Sequence, residues 1–337
     1  MGWHRRGQQG MTLHIVTGSD DNYVAGVLVL IASAAFHNPG TRFTVLDLGI
    51  SPANRARLDA LGARIGCAVR RIEVPADAFD HVPVRRAHLT RGTFLRLLIP
   101  QLMPDADRVL YMDCDMVVLG DLSWLADLPL GTDLFAAVPC PSPTQSALDA
   151  TGVAAGHYVN AGLLLMNLPV WRAEGTAERC LARLAGEEQP VLSGDEAALN
   201  LLGRGRVTLL PAGMNVYSDP AAYAASGTPP GDMRVVHYVV NNKPWNGPMP
   251  LGRLWWFHAG RIADLLPPAT PATLRARLRR ANRARRTAMG LMLGRRKYRV
   301  RRDVARIAER MADAYLARWQ GQGGPADHAR GPGVSGR

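Results

Sequence analysis

"RVLYMDCDMVVLGDL", residues 108–122, is the stretch on which the reading of this chain turns. Val109, Leu110, Tyr111 and Met112 form an unbroken apolar run, which predicts a strand buried on both faces, as in a parallel sheet. The run stops on Asp113 and Asp115, with Cys114 between them. Two carboxylates at the end of a core strand repel each other and lose hydration. A shared hard divalent cation relieves both penalties, and the same cation can hold a diphosphate. The alternative is a plain turn, since Asp favours strand ends and loops.

The flanking segments continue the pattern. "TLHIVTG" (12–18), "RFTVLDLG" (42–49) and "AVRRIEV" (68–74) read as strands. "SDDNYVAGVLVLIASAAFHN" reads as a polar turn entering a long apolar helix. "SPANRARLDALG" (51–62) is a helix with Ser51 as N-cap and Pro52 at its first position. "TRGTFLRLLIPQL" (90–102) and "PVWRAEGTAERCLARL" each predict one helix, and "DLFAAVP" and "YVNAGLLLMNL" add strands. Alternation of this kind predicts an α/β fold with a mainly parallel sheet covered on both faces. In such sheets ligands gather at the carboxyl ends of the strands. "SDDNY" and Asp113/Asp115 both lie at such ends, which predicts a single site.

The 337 residues leave room for one large domain and an appendage, or for two small domains. Four scattered cysteines, Cys67, Cys114, Cys140 and Cys180, form no CxxC pair. A disulfide framework or zinc knuckle is therefore not indicated, and a reducing cytoplasm suits the chain. No apolar stretch is long enough to span a bilayer. The arginines of "MGWHRRGQQGM" precede no apolar core, so a secretory signal is not expected, and Met11 is an alternative start. Residues 273–310 hold 15 Lys or Arg against Asp303 and Glu309, so the net charge of +12 belongs to this stretch.

Seven segments resemble glycosyltransferase family 8, particularly the bacterial galactosyltransferases that build lipopolysaccharide and related glycans. They are "DDNYVAGVLVLIAS" (20–33), "FTVLDLGIS" (43–51), "TFLRLLIP" (93–100), "RVLYMDCDMVVLGDL", "YVNAGLLLMNLPVWR" (158–172), "GDEAALN" (194–200) and "HYVVNNKPW" (237–245), in family order. The resemblance implies a GT-A fold that binds a UDP-sugar with Mn2+, or alternatively Mg2+, and transfers glucose or galactose with retention of configuration to a glycan or lipid-linked acceptor. With the composition shifting after about residue 265 to Pro and then Arg, the expected layout is a flexible N-terminus at 1–10, a GT-A domain at 11–265, a basic helical region at 266–319 and a disordered tail at 320–337.

The resemblance also distributes roles. His237 joins Asp113 and Asp115 as a metal ligand, and an imidazole beside carboxylates favours Mn2+ over Mg2+. Asp20 and Asn22 would hold the base or ribose, with Tyr23 stacked on the ring; the bland reading makes Asp20 or Asp21 a helix cap. Arg96 would reach the donor sugar and diphosphate, Lys243 the donor phosphate, and Asn160 and Asp195 the sugar hydroxyls. Glu196 stands where close relatives carry Gln near the reacting carbon; it would stabilise the developing cation or attack it. Val240 replaces a family Gly and Asn241 a common Pro, which alters the segment approaching the diphosphate.

Two alternatives compete. "VLYMDCDMV" also fits the aspartate-nucleophile phosphatases of the haloacid dehalogenase group, but Leu199 stands where their second acid is wanted. A non-catalytic nucleotide-sugar or nucleic-acid binder is the other. In the tail, "ATLRARLRRANRARR" and "VARIAERMADAYLARW" read as helices, the second with Val304, Ile307, Ala308, Met311 and Tyr315 on one stripe. Such a cationic amphipathic region predicts peripheral contact of 273–319 with the anionic inner face of the membrane. It lacks interleaved base-stacking aromatics, so nucleic acid is not expected.

Overall fold

The computed structural model describes residues 12–75, 77–79, 91–186, 194–239, 242–268 and 274–319. The expected N-terminal segment 1–10, the tail 320–337, and Val240 and Asn241 lie outside these residues.

Seven strands build the main sheet: β1 (His14–Ser19), β2 (Arg42–Asp47), β3 (Val69–Glu73), β4 (Arg108–Met112), β6 (Phe135–Pro139), β7 (Val159–Asn167) and β8 (Val207–Leu209). Their order is β3-β2-β1-β4-β7-β6-β8. All neighbours are parallel except β7, which runs antiparallel to both β4 and β6. A second sheet joins β5 (Met116–Val118), β9 (Val216–Tyr217) and β10 (Val235–His237) in the order β5-β10-β9. The chain leaves the main sheet at Met112 and enters the small one at Met116, so the Asp113–Asp115 turn is the junction between the two sheets.

Side chains of β4 alternate between two cores. Leu110 and Met112 pack with the helix Val24–His37 on one face. Val109 and Tyr111 pack with Phe94, Leu164 and Trp171 on the other. A strand buried on both faces needs no polar alternation, which explains the unbroken apolar run.

Two helical expectations are revised. Residues Arg91–Leu98 form 3-10 turns that lead into a short helix, Ile99–Leu102. The span after β7 is two helices, Leu168–Ala173 and Thr176–Ala185, divided at Gly175 in the left-handed region (φ 57°), a conformation open to glycine. The helix Pro52–Ile65 matches its sequence signals, with Ser51 Oγ accepting from Asn54 N and Gly66 left-handed at its end.

The basic region forms two helices, Leu274–Met292 and Arg296–Trp319. The second buries Val304, Ala308, Ala312, Tyr315 and Leu316 in the main core; Ile307 and Met311 are only half-buried, so the docked stripe is rotated from the predicted one. The Tyr315 hydroxyl sits between His37 Nε2 (2.8 Å) and His258 Nε2 (2.9 Å). Glu309 pairs with Arg253 and accepts from the Leu251 backbone N–H. The first helix presents residues 277–289 to solvent.

Candidate active site

Strand pairing builds the metal cradle. β10 runs antiparallel to β5 with His237 opposite Met116, and Tyr238 N donates to Asp115 O at 3.0 Å. This register sets the imidazole beside the Asp113–Asp115 turn. Asp113, Asp115 and His237 each offer a ligand atom within 4.8 Å of the others. His237 Nε2 lies 3.2 Å from Asp115 Oδ1 and 3.7 Å from Asp113 Oδ2.

Each carboxylate is aimed by its other oxygen. Asp113 Oδ1 accepts from Tyr111 Oη (2.7 Å) and from Arg96 (3.0 Å), which turns Oδ2 toward His237. Asp115 Oδ2 accepts from Lys243 Nζ at 2.5 Å, and the same ammonium donates to Tyr238 O at 2.7 Å. Burial alone would push the Asp115 carboxyl up, but His237 and Lys243 hold it well below the usual carboxylate range. Two carboxylates with an imidazole are the donor set of a divalent cation of intermediate softness. A glycine lets these groups approach the backbone so closely: a Cβ on Gly162 would meet His237 Cε1, Asp113 Oδ2 and Asn160 Oδ1 at 2.5–2.9 Å. The residues present therefore fit a metal.

Arg96 is almost fully buried beneath these groups. It donates to Thr93 O and Ala161 O, pairs with Asp113, lies 2.9 Å from Asp195 Oδ2 and stacks over the Tyr111 ring. Burial opposes its charge, but Asp113 and Asp195 outweigh burial and raise its pKa further. In this arrangement Arg96 organises the acids from below.

Asp195 and Glu196 open the helix Asp195–Leu202, after Gly194 at φ 130°. Glu196 Oε2 accepts from Asn160 Nδ2 at 2.7 Å. Burial raises the carboxyl pKa of both acids; Arg96 partly offsets this at Asp195 and Asn160 at Glu196. Asn160 reaches the rim because β7 runs antiparallel to β4, so its first residues stand beside the end of β4.

In the "SDDNY" segment, Asp20 caps the short 3-10 turn Asp21–Tyr23 and accepts from Asn22 N and Nδ2. Asp21 instead accepts from Ser51 N and Asn54 Nδ2, both at 2.8 Å, anchoring the segment to the Pro52–Ile65 helix. Tyr23 meets Trp245 edge-on at 5.8 Å. Burial raises the Tyr23 hydroxyl pKa, and Lys243 and Asp115 lie within its electrostatic reach. The two acidic clusters thus share one rim. Gly162, Tyr111 and the buried Asn215 also belong to the site and were not singled out in sequence; each sits in an apolar-looking run that reads as ordinary core.

The family model for glycosyl transferase family 8 matches residues 14–247. The chain is 28% identical to General stress protein A of Bacillus subtilis over 197 residues, which cover 56% of this chain and 68% of that protein. It is 27% identical to the lipopolysaccharide 1,3-galactosyltransferase of Salmonella typhimurium over 286 residues, covering 78% of this chain and 83% of that enzyme. Among solved structures it resembles the galactosyltransferase LgtC in complex with donor and acceptor sugar analogs. The TM-score is 0.64 and the identity 30%, over 79% of this chain and 99% of that one.

Proposed function

Because the chain belongs to glycosyl transferase family 8, and so is a hexosyltransferase, we propose that it moves glucose or galactose from a UDP-sugar to a glycan or lipid-linked acceptor, with retention of configuration and with Mn2+. Family membership displaces the phosphatase and non-catalytic alternatives. The observation that carries the proposal is the convergence of Asp113, Asp115 and His237 from two sheets onto one point.

Asp113, Asp115 and His237 would hold the metal, which when bound neutralises the diphosphate and favours departure of UDP. The remaining work falls to the chain's own groups. Tyr23 and the Asp20–Asn22 pair, which share the rim with the acids, would receive the uridine. Lys243 stands beside Asp115, positioned to pair with a donor phosphate. Asp195, fixed by Arg96, accepts from sugar hydroxyls. Glu196, oriented by Asn160, presents negative charge to the carbon on which positive charge develops.

The helix Leu274–Met292 exposes its arginines from Arg277 to Arg286, and no helix among the described residues is long and apolar enough to cross a membrane. We place this helix on anionic lipid, where each basic residue contributes roughly 1 kcal/mol.

Calorimetry of UDP binding tests the proposal. UDP should bind the wild type much more tightly with Mn2+ than without, and Asp115→Asn should abolish the difference while its melting temperature holds. Equal UDP affinity with and without Mn2+ in the wild type would overturn it. A panel of labelled nucleotide sugars, scored for slow hydrolysis, then identifies the donor.

A further inference from the structure

We propose that Asn215 is a positioning residue that fixes the tautomer of His237 and links it, through Asn160, to Glu196. The inference rests on the reading of His237 as a metal ligand. Asn215 ends the 3-10 turn Ala212–Asn215, immediately before β9. The neighbour of β9 is β10, with Tyr217 opposite His237, and the Asn215 side chain reaches the imidazole from two residues earlier. It is 2% exposed. Its Oδ1 is 3.0 Å from His237 Nδ1, and its Nδ2 is 2.8 Å from Asn160 Oδ1.

Which way each amide points follows from one unambiguous donor. The Gly162 backbone N–H can only donate, and it meets Asn160 Oδ1 at 3.1 Å. The oxygen of Asn160 therefore faces Gly162 and Asn215, and its NH2 faces Glu196 Oε2 at 2.7 Å. The Glu196 oxygen accepts there, so the second contact agrees with the first. Asn215 must then turn its NH2 to Asn160 and its oxygen to His237. That oxygen accepts only, so His237 Nδ1 is the donor of the pair.

The result is a chain of donors with one polarity, from His237 through Asn215 and Asn160 to Glu196. At one end it leaves Nε2 as the nitrogen that faces Asp113 and Asp115, the one a metal would take. At the other it holds the Glu196 carboxylate in place. Asn215 touches neither metal nor substrate; it acts through the residues that do. An asparagine is suited to the position because one side must accept and the other must donate.

Two variants separate the two ends. Asn215→Leu, close in volume, removes both contacts. Asn215→Asp still accepts from His237 Nδ1 but cannot donate to Asn160 when ionised. Mn2+ affinity is measured on substrate-free protein by calorimetry, and donor hydrolysis at saturating Mn2+ gives turnover. Asn215→Leu should lose about 10–100-fold in Mn2+ affinity. Asn215→Asp should bind Mn2+ at least as tightly as the wild type, yet turn over about 10-fold or more slowly. A purely structural role would not split binding from turnover in this way. Should Asn215→Leu fail to fold, Asn215→Asp decides alone. Wild-type Mn2+ affinity in folded Asn215→Leu, or wild-type turnover in Asn215→Asp, overturns the inference. His237→Ala is the control that separates the two failures. If it binds Mn2+ like the wild type, the ligand assignment itself falls; if it loses Mn2+ while Asn215→Leu does not, only the role of Asn215 falls.

Discussion

Replacing Gly162 with alanine is the smallest change that should disable the cradle. The added Cβ would stand 2.5 Å from His237 Cε1, 2.7 Å from Asp113 Oδ2 and 2.9 Å from Asn160 Oδ1. Carbon atoms in contact settle at about 3.5 Å, so the imidazole must retreat by about 1 Å. Metal sites tolerate only about 0.2 Å in ligand distance. Backbone movement cannot relieve the clash cheaply, because Gly162 O accepts from Asp113 N at 2.8 Å and its N–H serves Asn160. The expected loss of Mn2+ affinity is on the order of 100-fold, about 2.7 kcal/mol. Overpacking should lower the stability of the metal-free fold by about 1–3 kcal/mol. Calorimetric titration of Mn2+ into substrate-free protein reads the first quantity, and thermal unfolding in chelator reads the second. Mn2+ affinity within about threefold of wild type would refute the reasoning. So would a variant unfolded in chelator, since the damage would then not be local to the cradle.

Three further outcomes are expected. Glu196→Gln should slow turnover on the order of 100-fold, about 2.7 kcal/mol of barrier, if the carboxylate stabilises the reacting carbon. A charge that merely favoured the start of its helix contributes about 0.3–1 kcal/mol to stability and leaves turnover intact, so near wild-type kinetics would remove the catalytic role. Acid should loosen the docked C-terminal helix. Burial first, and Arg261 second, depress His37 from 6.5 to about 4, and burial drives His258 well below its usual value. The folded state therefore resists protons that the unfolded chain takes up. The stabilisation is complete above about pH 6.5 and is lost as pH falls toward 4, on the order of 1–2 kcal/mol for the partly exposed His37. Melting temperature should fall across that window in the wild type and fall less in His37→Gln; parallel curves would rule out this source. Finally, reversing Arg279, Arg283 and Arg286 to Glu should abolish sedimentation with anionic vesicles at low salt while leaving donor hydrolysis unchanged. Binding that persists in the variant, or that survives high salt in the wild type, would move the contact elsewhere.

The local features of this fold are written in short stretches of chain. The apolar run 109–112 specifies a doubly buried strand, because hydrophobic burial acts on each residue wherever the strand lies. Ser51, Pro52 and Gly66 set one helix by dihedral preference and capping alone. The division of 168–185 was harder to see, since Gly175 reads as a tolerable helix residue until its left-handed φ is known. The acids at the strand end mark a candidate site in sequence because two carboxylates there repel and lose hydration unless a partner compensates them. What joins them to His237 is the antiparallel register of β5 and β10, and what reaches Glu196 is the reversal of β7. Those pairings connect distant segments, and no local periodicity carries them. The same holds for Asn215, whose task is set by three neighbours from other elements, and for the C-terminal helix. Its amphipathic stripe is evident, but its rotation goes with the contacts of Tyr315 to His37 and His258 in the core. Which elements form, and where charge must be compensated, is legible along the chain because both follow from each residue's own burial and dihedral energetics. Which charges meet depends on contacts between residues far apart in the chain, so it emerges only on folding.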